Sequence, residues 1–200
     1  MSFPARLAVA SKNAHKLREI ARICADWPVE WVTVEHPGVD WPDVDEPFET
    51  YAENALAKAR EVAAALGMSA IADDSGIEVD ALGGAPGPRS ARFAGENATD
   101  AENLAKLLAD LAGIAPKERT ARYRCVVAVA FPGGGTLVTD ATCAGTIVDE
   151  VRGAGGFGYD PAFVPLGETR TMAELTDTEK DAISHRGRAF RAMRERLTER

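Results

Sequence analysis

The stretch "TYAENALAKAREVAAALGMSAIADDSGIEVD", Thr50 to Asp80, decides the fold class. It opens on Thr50 and Glu53 at capping-box spacing, and Gly67 stands just past the last turn of the run they begin. Between these signals Ala52, Ala55, Leu56, Ala59, Val62, Ala63 and Leu66 recur at helical spacing, which predicts one long helix. Two short apolar runs follow, Ala70–Asp73 and Ile77–Asp80, and these read as strands. Asp, Ser and Gly between them are ordinary turn chemistry. Adjacent like charges at the end of a strand also suit a hard-cation site, and the residues alone leave both readings open.

The same alternation extends outward. "RLAVAS" reads as a first strand, Arg6–Ala10, and Asn13 can cap a helix carrying Leu17, Ile20, Ala21 and Cys24 on one face. "WVTVEHPGV" reads as a second strand, followed by a Pro- and Asp-rich loop through Pro47. Downstream, a helix is expected near Thr99–Leu111. "RYRCVVAVAF" and "GTLVTDATCAGTIV" flank a proline and three glycines as a long hairpin. Thr176 with Glu179 opens a short helix, and Ser184 caps a basic closing one. Early strand–helix alternation with a late hairpin predicts an α/β fold with a mixed sheet.

Two hundred residues with no repeat or linker suit one domain, 1–200, or two lobes sharing a core. With 31 acidic against 23 basic side chains the net charge is -8, which disfavours nucleic acid and anionic membranes as partners. No apolar run approaches the roughly 18 residues of a membrane span, and the opening "MSFPARLAVASKN" turns polar too early for a signal peptide. Cys24, Cys125 and Cys143 are odd in number and far apart. They read as buried thiols in a reducing compartment, with the cytoplasm as the expected location.

Five clusters could carry chemistry. "SKNAHK", Ser11 to Lys16, lies between a strand and a helix, where free N–H groups, a hydroxyl and lysines can hold phosphate. Lys16 in a first helical turn opposes the helix dipole, and an anionic ligand would reverse that sign. Glu46 precedes the long helix, and Lys58 sits at the margin of its apolar arc, where it can snorkel to a rim. Strand alternation sends Asp73 and Asp74 to opposite faces, so only one of them can serve a site directly. The glycines around Phe157 leave its ring able to stack on a flat ligand such as a base. Lys180, His185, Arg186 and Arg188 gather around a helix start, where cations call for an anion. Each cluster also has an ordinary structural explanation; together they offer carboxylates for Mg²⁺, cations for a polyphosphate and an aromatic for a base.

The segments "ASKNAHKLREI", "ETYAENALAKA", "ADDSGIEVDALGGAPGPRSARF", "GFGYDPAF" and "SHRGRA" occur in an order that resembles the inosine/xanthosine triphosphate pyrophosphatases, over nearly the whole chain. The resemblance implies a long mixed β-sheet flanked by helices, two lobes with the active-site cleft between them, and a homodimer. It implies hydrolysis of ITP, dITP or XTP to the monophosphate and pyrophosphate. By the same resemblance Ser11, Lys12, Asn13, Ala14, His15 and Lys16 hold the triphosphate, Glu46 and Asp74 bind Mg²⁺, and Asp74 is the general base. Lys58 and Ser75 contact substrate, Phe157, Gly158, Tyr159 and Asp160 wrap base and sugar, and Lys180, His185 and Arg186 complete the set. Two positions depart from the pattern: Phe48 stands where a glycine is common, and Arg89 where an aromatic or aliphatic residue is. A Maf-like pyrophosphatase and a nucleotide-binding regulator without turnover are the competing readings.

Overall fold

The computed structural model describes residues 3–39, 41–44 and 48–199. Strands β1 (Arg6–Val9), β2 (Glu30–Val32), β3 (Ala70–Val79), β4 (Thr120–Ala130), β5 (Thr136–Ile147) and β6 (Phe163–Pro165) form one sheet in the order β2-β1-β3-β4-β5-β6. β1 pairs in parallel with β2 and β3, with Ala8 opposite Val32 on one side and Ala70 on the other. β5 and β6 are antiparallel. Helices α1 (Ala14–Ile23), α2 (Tyr51–Leu66), α3 (Asp100–Asp110), α4 (Asp177–Ile183) and α5 (His185–Glu199) complete the architecture. The expected α/β fold with a long mixed sheet flanked by helices is what forms.

Local chemistry explains where the helices start and stop. Asn13 accepts from the N–H groups of His15 and Lys16 to open α1, and Thr50 accepts from Glu53 to open α2. Gly67 closes α2 at φ +61°, a left-handed conformation that costs glycine no Cβ clash. Complete capping boxes open α3 (Thr99 with Glu102) and α4 (Thr176 with Glu179). Ser184 Oγ accepts from Gly187 N–H in the first turn of α5.

The chain gathers into two compact units. One comprises residues 1–74, 125–141 and 188–200, and the other 75–124 and 142–187. In the first unit both faces of the parallel strands are covered, as parallel strands require. One face carries Leu7, Val9, Ile71, Val127 and Val129 against Ile20 of α1, Cys24 that caps it, and Phe190 and Met193 of α5. Burial raises the Cys24 thiol far above its ordinary range, so it stays protonated and inert. The opposite face is almost all alanine, and it meets the alanine-rich stripe of α2. The second unit packs Ile77 and Val79 with Leu104 and Leu107 of α3 and its C-cap Leu111, and with Tyr123, Ile147, Phe163 and Met172.

Two expectations are corrected. β3 is a single strand that runs through Asp73-Asp74-Ser75-Gly76 without turning. Ladder pairing within the sheet overrides the turn chemistry of those four residues. The second strand is only Glu30–Val32, ending before the turns that precede Pro37 and Gly38.

Candidate active site

Alternation along β3 places Ala70, Ala72 and Asp74 on the α2 face, and Ile71 and Asp73 on the α1/α5 face. The α2 face of the sheet is small: Ala8, Ala10, Ala70, Ala72, Ala128 and Ala130 lie against Ala55, Ala59 and Ala63 of the helix. Small residues on both sides let helix and sheet approach closely. Longer side chains on the same helical stripe then reach the strand itself.

Asn54 and Lys58, spaced i and i+4 on that stripe, do so. Asn54 Nδ2 donates to Asp74 Oδ2 at 3.1 Å. Lys58 Nζ donates to the carbonyl of Asp73 at 2.7 Å and lies 3.5 Å from Asp74 Oδ1. On the other face, Lys16 Nζ is 3.3 Å from Asp73 Oδ2, and the Cys125 thiol approaches the same oxygen at 4.0 Å. Both aspartates are buried, and each has a lysine of its own from a different helix. Lys58 is therefore not a rim lysine as its wheel position suggested. It is only 7% exposed, because the alanine interface draws α2 against the strand.

Ser11 to Lys16 form the β1–α1 connection. Ser11 Oγ accepts from Asn13 N–H at 3.2 Å, and Asn13 Oδ1 takes the N–H groups of His15 and Lys16 at 2.9 and 3.1 Å. Two of the helix N–H groups left for an anion in the sequence reading are thus already engaged. Lys12 pairs with exposed Asp43 at 2.8 Å and holds that carboxyl below its usual range. Ala14 is exposed, and His15 Nδ1 meets Arg18 Nη2 at 3.0 Å.

In the second unit, Arg186 is 1% exposed and donates to Ser75 Oγ at 2.8 Å. The Phe157 ring faces two cations, with Lys180 Nζ 5.1 Å and Arg186 Cζ 5.7 Å from its centroid. Lys180 also pairs with Asp160 at 2.5 Å, both side chains 4% exposed, and Asp160 accepts from Phe157 N–H at 2.9 Å. A Cβ on Gly156 would meet Asp160 Oδ2 at 2.0 Å, so the carboxylate sits there only because that residue is glycine. Gly158 N–H donates to Asp100 at 2.9 Å.

Tyr159 and His185 lie in the core of this unit. The Tyr159 hydroxyl donates to Ser90 O at 2.7 Å, and burial raises its phenol above the ordinary range, with Asp100 adding to the effect. His185 stacks on Tyr123, rings 4.6 Å apart and nearly parallel. Glu46, assigned to Mg²⁺ by resemblance, lies outside the described residues. Among the described residues no three carboxylate, histidine or cysteine side chains assemble into a metal cage. Mg²⁺ does not require one, since one or two carboxylates with substrate phosphates and waters suffice. Asp74 supplies hard oxygens of that kind.

Among the buried polar residues that sequence reasoning missed are Asn54, Ser90 and Asn103. Asn54 joins Asp74 to the segment before α2. Ser90 Oγ accepts from Ile77 N–H at 2.9 Å and donates to Gly87 O at 2.6 Å, tying the Gly/Pro-rich loop to β3. Asn103 of α3 pins the same loop through Ala91 O and Ala94 N–H. For Asn54 the signal was present: a polar amide on the stripe shared by Tyr51, Ala55, Lys58 and Val62. The two departures from the pattern have these surroundings. Phe48 is half-exposed with its backbone held by Asn54, and Arg89 makes an exposed ion pair with Glu96 at 3.4 Å.

The Ham1 family profile matches residues 7–196. The chain belongs to the Ham1 family. A dITP/XTP pyrophosphatase of Streptomyces coelicolor is 50% identical over 191 residues, 94% of this chain and 94% of that protein. Another dITP/XTP pyrophosphatase, from Geobacillus kaustophilus, is 49% identical over 194 residues, 96% of this chain and 94% of its own length. The solved structure of a HAM1 protein from Coxiella burnetii superimposes on this Ham1 family chain with a TM-score of 0.86 at 40% identity, covering 98% and 99% of the two chains.

Proposed function

We propose that this chain hydrolyses the non-standard purine nucleoside triphosphates ITP, dITP and XTP to the monophosphate and pyrophosphate, clearing them from the nucleotide pool. The observation that carries the reading is the buried Asp74 on β3, held by Asn54 at 3.1 Å with Lys58 at 3.5 Å. A carboxylate gripped on one oxygen and flanked by a fixed cation suits a base placed beside a polyphosphate. Relatives about half identical over nearly the whole chain are named dITP/XTP pyrophosphatases, which supports two of these three substrates.

In this reaction a water oxygen bonds to the α-phosphorus while the bond from that phosphorus to the αβ-bridging oxygen breaks. Asp74 takes the water's proton at Oδ1, the oxygen that Asn54 does not hold. Lys58 and Lys16 supply positive charge to the triphosphate, and the 11–16 connection cradles it. Asp74 and Glu46 would hold Mg²⁺, which when bound polarises phosphate oxygens and offsets charge on the leaving pyrophosphate. The Phe157 face takes the purine. Hypoxanthine and xanthine present a 6-oxo acceptor where adenine presents an amino donor, so an N–H donor at that position leaves adenine unpaired and rejects it strongly. Arg186, rich in N–H donors and beside the Phe157 ring, is assigned that role. The family resemblance adds a homodimer and the three unpaired cysteines a cytoplasmic location, which solution mass and cell fractionation would check. No helix among the described residues is long and apolar enough to cross a membrane.

The test is a panel of nucleoside triphosphates with and without Mg²⁺, with pyrophosphate and orthophosphate assayed separately. The expected result is metal-dependent pyrophosphate release from dITP, ITP and XTP, far above ATP and GTP. Orthophosphate released from the γ position would overturn the mechanism, because the attack would then be at another phosphorus.

A further inference from the structure

We propose that Asn54 is a positioning residue, an amide latch that ties the backbone at Phe48 to the Asp74 carboxylate. Its side chain makes three hydrogen bonds at once. Oδ1 accepts from Phe48 N–H at 3.0 Å, while Nδ2 donates to Phe48 O at 3.1 Å and to Asp74 Oδ2 at 3.1 Å. An amide has two N–H donors, and both are used here. The orientation is fixed by chemistry, since only Oδ1 can take the Phe48 N–H and only Nδ2 can serve the two acceptors. Asn54 is 1% exposed, so water does not substitute for any of the three bonds.

No other side chain of this size reproduces the set. Aspartate keeps an acceptor for Phe48 N–H, but it loses both donations and sets a like charge against Asp74. Alanine loses all three bonds. Glutamine is one methylene longer and must push into the alanine interface of α2. The latch thus joins a helix, a strand and the loop that enters the helix, and it does so at the carboxylate assigned as the base. The catalytic part of this inference rests on the pyrophosphatase reading above; the structural part does not.

The experiment uses the whole chain, wild type and two variants, Asn54→Ala and Asn54→Asp. It reads amide hydrogen exchange at Phe48 without nucleotide or metal, then kcat and KM for dITP. In Asn54→Ala the Phe48 amide should exchange at least about tenfold faster than in wild type, for loss of one buried bond. Its kcat should fall roughly 10- to 100-fold with KM changed less than about threefold, as for a group that aims the base and leaves binding alone. Asn54→Asp should keep most of the Phe48 protection yet lose at least as much kcat. A merely structural role would not separate the two variants in this way. The latch is overturned by unchanged Phe48 exchange in Asn54→Ala, or by Asn54→Asp turning over as wild type does. Should Asn54→Ala fail to fold, Asn54→Asp carries the catalytic arm alone. Should wild type release no pyrophosphate from dITP, the functional reading falls, while the exchange measurement still decides the latch.

Discussion

Asp73 and Asp74 are adjacent, both buried and both beside a lysine, yet their loss should have opposite signatures. Asp73→Asn removes the charge opposite Lys16, where the carboxylate side chain is fully buried and the lysine 15% exposed at 3.3 Å. Removing one member of a buried pair typically costs about 3–5 kcal/mol, and the partial exposure of Lys16 puts this case near about 3 kcal/mol. For a chain of this length about 3 kcal/mol lowers Tm by roughly 6–12 °C. Asp74→Asn is milder for stability. Its amide oxygen still accepts from Asn54, and Lys58 keeps the Asp73 carbonyl at 2.7 Å, so about 1–2 kcal/mol is expected. Turnover should reverse the order, since Asp74→Asn removes the proposed base and should lose about 10²- to 10⁴-fold in kcat. Asp73→Asn should lose less than about tenfold when measured well below its Tm. The assay pairs urea or thermal melts with initial rates of pyrophosphate release at saturating dITP. Equal losses of turnover in two folded variants would refute the division of labour by strand face, and so would a larger stability loss in Asp74→Asn.

Lys180→Met strands Asp160 in a site where both side chains are 4% exposed, and should cost about 3–5 kcal/mol in a denaturant melt. Adding Asp160→Asn should recover part of that loss, and a double variant no more stable than the single would count against the pair. Arg186→Ala should lower kcat/KM on ITP more than on ATP, whereas Phe157→Ala should weaken all purines together. Equal factors for Arg186→Ala on both nucleotides would move base reading elsewhere, to the backbone around Gly158 and Asp160. The capping glutamates Glu102, Glu174 and Glu179 are each held below the usual 4.5, first by the backbone N–H of their threonine caps. Their contribution to stability is complete above that ordinary value and is lost as pH falls through the lowered folded-state values. A triple Glu→Gln variant should therefore show a shallower loss of stability in acid, and an unchanged slope would deny these caps their share.

The sequence by itself determined what is local. Asn13, Thr50, Thr99, Thr176 and Ser184 each satisfy N–H groups two or three residues away, so their helices were legible from spacing alone. Alternation along β3 was legible too, and it correctly sent Asp73 and Asp74 to opposite faces. Family motifs marked the candidate residues, but not how those residues hold one another. Only the tertiary structure decided that Asp-Asp-Ser-Gly continues a strand, because the ladder that outweighs its turn chemistry comes from neighbours far along the chain. Only it decided that Lys58 is buried and that Asn54 binds Asp74, since both follow from how closely two alanine surfaces approach. Arg186 and Ser75 are 111 residues apart in sequence and 2.8 Å apart in space. Helix caps and strand alternation act over a few residues and leave their mark in spacing. A buried carboxylate's partners are set by the packing of whole faces, which no short stretch of sequence encodes.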